Sequence, residues 1–213
     1  MCMNYILSLI LVSLKKASDV YVNILESFWN AWSYSYLQIK KANLPRYKDI
    51  CFCGKPHLYV AEGSNVSIGK GFVCRSGIIQ SVDNYVSSKI VVSQGASLTI
   101  GENSGISNVV LYSTDSISIG SNVNIGAGTM IFDTDFHSTD WRDRIDREKD
   151  RNCAKSKPIS IGDNVFIGAR SIVTKGVTIG DRSMVAAGSV VAHDIPADEL
   201  WGGNPARFIR KNI

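Results

Sequence analysis

Aliphatic residues recur at every sixth position over two long stretches of this chain. From Ile161 the sequence reads ISIGDN, VFIGAR, SIVTKG, VTIGDR, SMVAAG and SVVAHD, and the in-phase positions are Ile161, Ile167, Val173, Ile179, Val185 and Val191. An α-helix repeats every 3.6 residues, so a six-residue period does not produce one apolar helix face. The period instead predicts a solenoid in which each unit forms one short strand and one corner, with three units, about 18 residues, in each coil.

The same pattern appears earlier in the chain, with shifts of phase between blocks. It includes Ile68, Ile100, Ile106, Ile119, Ile125 and Ile131. Inward aliphatic residues would build a ladder inside the solenoid, and glycine suits the corners where the chain must bend. Residues 57–136 and 158–196 together predict a mainly β fold of roughly six to seven coils.

A polar loop, residues 132–157, interrupts the repeat. It begins around His137, one of only three histidines, and residues 140–157 carry five acidic and seven basic side chains. A solenoid face is flat, so a pocket needs either a loop extruded over that face or a second subunit beside it. The loop is therefore the predicted place of function.

The first 50 residues differ from the repeat. Residues 3–42 contain neither glycine nor proline, which favours a helical segment that Pro45 closes. The apolar run at residues 5–14 is too short to span a bilayer, which takes about 20 residues, and no basic stretch precedes it as in a signal peptide. With Phe28, Trp29, Trp32 and nearby lysines, the segment suits a membrane surface. Packing on the solenoid or on a partner subunit is the alternative.

Composition excludes some classes of function. The net charge is only +4 over 213 residues, and basic residues are scattered among acidic ones, which disfavours nucleic-acid binding. Five cysteines include one C-x-C pair, Cys51 and Cys53, without a second pair or nearby histidines. This is not a zinc spacing, and the cysteines are interpreted as reduced thiols of a cytoplasmic protein.

Three features together resemble the left-handed β-helix acyltransferases: the hexapeptide tandem, the D-x-D-x-H loop ending at His137, and the G-G-N-P-A-R tail at residues 202–207. The sequence is most similar to the sugar and polysaccharide O-acetyltransferases. The resemblance implies a left-handed parallel β-helix at residues 51–200, a helical segment at 1–50 and a tail at 201–213. It also implies acetyl-coenzyme A as co-substrate, a sugar or polysaccharide acceptor, no metal and a homotrimer.

His137 is the predicted general base. A sugar hydroxyl is too weakly acidic to attack a thioester at neutral pH, so a base that titrates near pH 7 must remove its proton. Asp133 and Asp135 are expected to orient the imidazole or to bind an acceptor hydroxyl. Ordinary turn formation, which aspartate favours, is the alternative role for both.

The resemblance assigns the remaining site residues. Ala169 is expected at the thioester of coenzyme A and Ala187 beside the pantetheine. Ala192 and His193 are expected to contact the cofactor, although His193 stands where relatives often have the lysine that would contact phosphate. In the tail, Asn204, Pro205, Arg207 and Arg210 are expected near the nucleotide, whose phosphates attract guanidinium groups, and Trp201 is expected to cover the pantetheine or the adenine. Asn108 and Trp141 are expected to bind the acceptor, because indole faces pack well on sugar rings.

Three other functions stay open. An N-acetyltransferase acting on a nucleotide-linked amino sugar would share the fold. A zinc enzyme of the carbonic anhydrase kind would need clustered histidines, whereas His57, His137 and His193 are far apart in sequence. A non-catalytic solenoid scaffold would bind no coenzyme A.

Overall fold

The computed structural model describes residues 2–77 and 87–212, except that the side chains of residues 2–14 and 16–19 lie outside the description. The helices are α1 (Cys2–Ile39) and α2 (Arg147–Cys153), with 3₁₀ turns at Tyr47–Asp49 and Asp143–Ile145. The strands are β1 (Ile50–Cys53), β2 (His57–Val60), β3 (Asn65–Ile68), β4 (Phe72–Arg75), β5 (Lys89–Val92), β6 (Ser97–Ile100), β7 (Gly105–Ser107), β8 (Val110–Ser113), β9 (Ser116–Ile119), β10 (Asn124–Ile125), β11 (Met130–Phe132), β12 (Ile159–Ile161), β13 (Phe166–Ile167), β14 (Ile172–Val173), β15 (Thr178–Ile179), β16 (Met184–Val185), β17 (Val190–Val191), β18 (Glu199–Gly202) and β19 (Arg207–Lys211).

The strands form the three walls of a left-handed parallel β-helix. Sheet A contains β3, β6, β9, β12 and β15; sheet B contains β1, β4, β7, β10, β13, β16, β18 and β19; sheet C contains β2, β5, β8, β11, β14 and β17. From β1 to β14 each strand pairs in parallel with the third strand after it, so three strands complete one coil. This pairing confirms the solenoid that the six-residue period predicts.

The interior is the predicted aliphatic ladder. The in-phase residues from Ile161 to Val191 are all buried, as are their counterparts Ile100, Ile119 and Ile131. Adjacent coils approach closely at the corners, where a Cβ added to Gly162 would lie 2.8 Å from the backbone nitrogen of Asp181. Glycine is therefore required there because any side chain would push two coils apart.

Helix α1 caps the open end of the first coil with its last turns. Leu37 and Ser33 are buried, and the Asn30 side-chain oxygen accepts a 2.8 Å hydrogen bond from the backbone N–H of Phe52. Since β1 is the first strand of sheet B, this contact satisfies an edge that has no further strand. The packing alternative is thus confirmed for the end of α1.

The preceding turns of α1 expose an apolar stripe, defined here as Val20, Tyr21, Ile24, Phe28 and Trp32, whose side chains are 38–63% exposed. The predicted apolar run at residues 5–14 has its side chains outside the described part of the structure. Within the described residues, neither helix combines the length and apolarity needed to cross a membrane.

Candidate active site

The polar loop leaves the solenoid between β11 in sheet C and β12 in sheet A, at the C–A edge. Backbone contacts close its base: Lys157 N–H donates to Asp133 O at 2.9 Å, and Asp135 N–H donates to Lys155 O at 3.0 Å. Asp146 caps the N-terminus of α2 by accepting from two backbone N–H groups of its first turn. The loop is therefore a folded excursion with its own helix.

His137 projects from this loop with 68% of its side chain exposed. Its Nδ1 lies 2.6 Å from Asp150 Oδ2, and the other Asp150 oxygen accepts from the backbone N–H of Ser138 at 2.8 Å. The hydrogen bond from His137 holds the pKa of Asp150 below its usual range, with a smaller contribution from Ser138. Because an ionised carboxylate only accepts, Nδ1 carries the proton and Nε2 is the nitrogen that can receive another.

Asp133 does not have the orienting role that the sequence suggests. It is fully buried and accepts hydrogen bonds from Ser113 Oγ and Asp115 N–H, and from the N–H and hydroxyl of Thr114, at 2.7–3.0 Å. These donors occupy both carboxylate oxygens and hold the preceding coil's corner. Asp133 therefore stabilises the base of the loop, as in the turn-forming alternative, and does not orient the imidazole.

Asp135 does not hold the imidazole either. Its Oδ1 pairs with Lys175 Nζ at 2.8 Å, across to the next corner of the C–A edge. Its Oδ2 is buried without a hydrogen-bond partner in the described structure. A buried acceptor without a partner is unusual, and the second role expected of Asp135, that of receiving an acceptor hydroxyl, stays a prediction.

Asp150 is the site residue that the sequence analysis missed. It stands among the alternating charges of residues 140–157, where any of five acidic residues could pair with the ring. The only local signal is Asp146, an N-cap that predicts α2 and so places Asp150 on its first turn.

An aromatic wall stands next to His137. Phe136 packs edge-on against Tyr112, with ring centroids 4.9 Å apart, and against Phe132 at 5.5 Å. Phe136 has a left-handed backbone, with φ of 61°, which turns the chain just before the histidine. Trp141, the aromatic residue predicted for the acceptor, is 64% exposed farther along the loop.

The predicted coenzyme A residues fall on two different edges. Ala169 follows β13 and Ala187 follows β16, so both lie at the B–C edge, where Gly188 N–H donates to Ala169 O at 2.8 Å. Ala192 and His193 follow β17 at the C–A edge, on the same side as His137. At about 3.3 Å per residue, a four-residue strand of sheet C separates the edges by about 13 Å. One chain therefore does not bring all these residues together.

The C-terminal tail forms the last two strands of sheet B. β18 and β19 pair antiparallel around a turn that contains Asn204 and a cis peptide bond to Pro205, both exposed. Arg207 and Arg210 are exposed, and their guanidinium groups donate to backbone carbonyls at 3.1 and 2.9 Å. These cations remain accessible to anionic groups of a ligand.

Trp201 is half-buried and packs against the end of the core. Its indole N–H donates to Glu199 at 2.8 Å, and Lys211 Nζ lies 2.7 Å from the other oxygen of the same carboxylate. Lys211, and next Trp201, keep the pKa of Glu199 below its usual range. Trp201 thus closes the last coil, and only its exposed part could cover a cofactor.

Asn108 lies at the B–C edge, on the same side as Ala169 and Ala187. It is buried, with a left-handed φ of 46°, and its side-chain oxygen accepts from Gly77 N–H at 3.0 Å. In the single chain it therefore shapes the corner more than it presents an amide to solvent.

A groove of about 360 Å³ crosses the outer face of sheet B beside this corner. Gly105 and Ser107 on β7 and Asn124 on β10 line its middle. Arg75 on β4 and Phe166 on β13 line it on either side of these strands, and Gly126 places its end at the B–C edge. No cluster of three potential metal ligands occurs within residues 2–77 and 87–212.

The chain is similar in sequence to known hexapeptide-repeat proteins and acetyltransferases. The family described as the hexapeptide repeat of succinyl-transferase matches residues 158–192. A putative acetyltransferase of Saccharomyces cerevisiae is 34% identical over 161 residues, which are 75% of this chain and 63% of that protein. Galactoside O-acetyltransferase of Escherichia coli is 34% identical over 128 residues, 60% of each protein.

A solved structure extends the match. The hexapeptide-repeat-containing acetyltransferase from Vibrio cholerae, crystallised with acetyl-coenzyme A, is 37% identical with a TM-score of 0.53, over 67% of this chain and 72% of that one. The chain spans less than two thirds of the length of the curated relatives described above.

Proposed function

This chain belongs to the hexapeptide-repeat acetyltransferases, and from that premise we propose that it transfers an acetyl group from acetyl-coenzyme A to a hydroxyl of a sugar or surface-polysaccharide precursor. The observation that carries the proposal is the 2.6 Å contact between Asp150 and His137 Nδ1 on an exposed loop. A carboxylate that fixes the tautomer of an accessible imidazole supports general-base catalysis, because it orients the ring and stabilises the imidazolium that forms.

The reaction is proposed to be a direct transfer. The acceptor hydroxyl gives its proton to His137 Nε2 as its oxygen attacks the thioester carbonyl, and Asp150 stabilises the resulting imidazolium. Backbone N–H groups on a rigid coil would hold the tetrahedral oxyanion. When the C–S bond breaks, the imidazolium returns the proton to the departing thiolate, so no acyl-enzyme forms.

The residues present suit coenzyme A. The small side chains of Ala169 and Ala187 leave the backbone of the B–C edge accessible, as the thioester and pantetheine require. Arg207 and Arg210 have no carboxylate partner among the described residues, so their charge is available to phosphates. Ala192, His193 and the exposed turn at Asn204 and Pro205 complete the proposed cofactor surface.

The complete site is proposed to form between neighbouring copies in a homotrimer. His137 and Ala169 lie on opposite sides of sheet C, so a second chain must supply one of the two edges. The neighbouring chain would also exclude water from the His137 imidazole, which is two-thirds exposed in the single chain.

The acceptor is proposed to occupy the groove on sheet B and to reach the thioester at the B–C edge. Ser107, Asn124 and the amide of Asn103 offer hydrogen bonds, and Phe166 offers an apolar face, a combination suited to a sugar ring. Asp135 Oδ2, Trp141 and Asn108 are the proposed contacts contributed from the loop and corner.

The apolar stripe of α1 is proposed to bind the cytoplasmic face of a membrane, where lipid-linked glycan acceptors would be presented. The five apolar side chains lie exposed on one helix face, whereas a helix that faces only solvent is expected to carry polar side chains there. Lys15, Lys40 and Lys41 on the same segment would favour an anionic surface.

Labelled acetyl-coenzyme A and a panel of free, nucleotide-linked and lipid-linked sugars test the function. We expect a labelled product whose acetyl group is released by mild alkali, as for an ester. An alkali-stable amide would instead identify the N-acetyltransferase alternative. Absence of both coenzyme A binding by calorimetry and acetyl transfer would identify a scaffold.

A further inference from the structure

Strand β1 places two thiols side by side on the outer face of sheet B. Phe52 points into the core, whereas Cys51 and Cys53 on either side of it are half-buried on the opposite face. Their sulfur atoms are 2.9 Å apart. The pair belongs to the first coil, while the His137 loop follows β11, so the proposed acetyl transfer does not use it.

The surroundings make the two sulfurs unequal. A hydrogen bond from the Cys53 thiol lowers the pKa of Cys51 to about 7, and it raises the pKa of Cys53, which keeps its proton. Arg75, opposite Cys53 on β4, also favours the Cys51 thiolate. Glu26 on α1 and partial burial act in the opposite direction, and Lys55 lies nearby over the ring of Trp29.

We propose that Cys51 and Cys53 form a thiol–disulfide exchange site that takes low-molecular-weight disulfides. The Cys51 thiolate attacks one sulfur of the disulfide, whose S–S bond breaks as the first thiolate leaves. Cys53 then loses its proton to solvent and attacks the Cys51 sulfur, and the second thiolate departs. The protein gives up two electrons and two protons, and one disulfide becomes two thiols.

Geometry makes this bond reversible. In a regular strand the Cβ atoms of residues two apart are about 6.6 Å from each other, whereas a disulfide requires its two Cβ atoms to lie about 3.8 Å apart. Closing the bond must therefore bend β1 at Phe52, which is fully buried and hydrogen-bonded to Asn30 of α1. A strained disulfide is readily reduced, as a reversible modification requires.

The other described thiols serve as internal references. Burial raises the pKa of Cys74 to about 12, and Cys74 points into the core. Cys153 is exposed on α2, with a pKa raised by desolvation and by Asp143. Exposure alone would favour reaction at Cys153, whereas the paired geometry favours reaction at Cys51.

In the test, the protein is treated with glutathione disulfide at neutral pH and the remaining thiols are alkylated. Mass spectrometry then identifies the modification of each cysteine. We expect the peptide containing Cys51 and Cys53 to lose two hydrogen atoms and to escape alkylation, and dithiothreitol to restore both thiols. Cys53→Ser should stop at a glutathione adduct on Cys51. Cys51→Ser should form neither product, and Cys153→Ser should behave as wild type.

The pH dependence gives a second, variant-free measurement. Alkylation of Cys51 in the wild-type protein should reach half its maximal rate near pH 7, and that of Cys153 only at higher pH. The proposal is wrong if glutathione disulfide modifies Cys153 while Cys51 and Cys53 stay reduced. It is equally wrong if the wild-type protein stops at a stable glutathione adduct.

Discussion

Asp150 and His137 are 13 residues apart in the chain, and a 2.6 Å hydrogen bond joins the carboxylate of one to the Nδ1 of the other. Helix α2 makes the contact possible, because Asp146 caps it and sets Asp150 on its first turn, facing the histidine. Loss of either partner should therefore affect the chemistry without disturbing the β-helix, whose core neither residue enters.

Replacement of His137 removes the proposed general base. His137→Ala should lower acetyl transfer by about a hundredfold or more, the usual contribution of a general base, and should leave coenzyme A affinity nearly unchanged. Steady-state kinetics and calorimetry measure the two quantities. His193→Ala is the matched control, since it should change cofactor binding more than turnover. A turnover defect confined to the His193 variant would show that the base was misassigned.

Asp150 should titrate below an ordinary aspartate. Its folded pKa is depressed by the bond from His137, so its contribution to stability is present above the unfolded pKa of about 3.9 and is lost as pH falls through the lower folded value. NMR of the labelled carboxyl carbon measures this titration. In His137→Ala the midpoint should rise toward about 3.9. An unchanged midpoint would mean that Ser138 alone sets it.

A shared site predicts complementation between two inactive variants. His137→Ala removes the base, and Ala187→Trp should block the B–C edge. Each site draws its two edges from different chains. In a one-to-one mixture each edge has a probability of about one half of being wild type, so about a quarter of the sites should have both edges intact and the mixed trimers should recover about a quarter of wild-type activity. Co-refolding followed by an activity assay and light scattering tests this. Full activity in a monomer would contradict the shared geometry.

Leu37 should be important for the free energy of unfolding. It is 1% exposed against the first coil, so Leu37→Ala should cost about 2–5 kcal/mol through lost burial and a residual cavity. Ile39, 78% exposed on the same helix, is the control, and Ile39→Ala should change stability by less than about 0.5 kcal/mol. Urea denaturation compares the two. Equal effects would mean that α1 does not cap the solenoid.

Membrane association depends on the apolar stripe. Substituting Ile24 and Phe28 with serine should weaken sedimentation with anionic liposomes by about tenfold or more, since burying one such side chain contributes about 1.5–3 kcal/mol. Ile209→Ser, at a comparably exposed position on β19, should have no effect. If the stripe variants change the oligomeric state and not liposome binding, a second copy of the chain covers this face.

The six-residue period by itself determined the β-helix, its aliphatic core and the place of the extruded loop. A repeat of identical geometry imposes the same strand and corner on every unit, so Ile161 and Val173 are predictable without tertiary information. The position of His137 on that loop could likewise be predicted, because the loop is a departure from the pattern that carries a histidine; its role as the general base stays a prediction.

Only the tertiary structure decided which carboxylate meets that histidine. Asp133 and Asp135 are nearer in sequence, but Asp133 accepts hydrogen bonds from backbone amides of the preceding corner, and Asp135 forms an ion pair with Lys175. Asp150 comes from a helix whose packing depends on several loop contacts at once. Likewise, the contribution of Arg75 to the environment of Cys51 and the division of the predicted cofactor residues between two edges follow from how coils stack. A one-dimensional pattern fixes the strand on which a residue lies, whereas side-chain partners depend on distances across strands and loops.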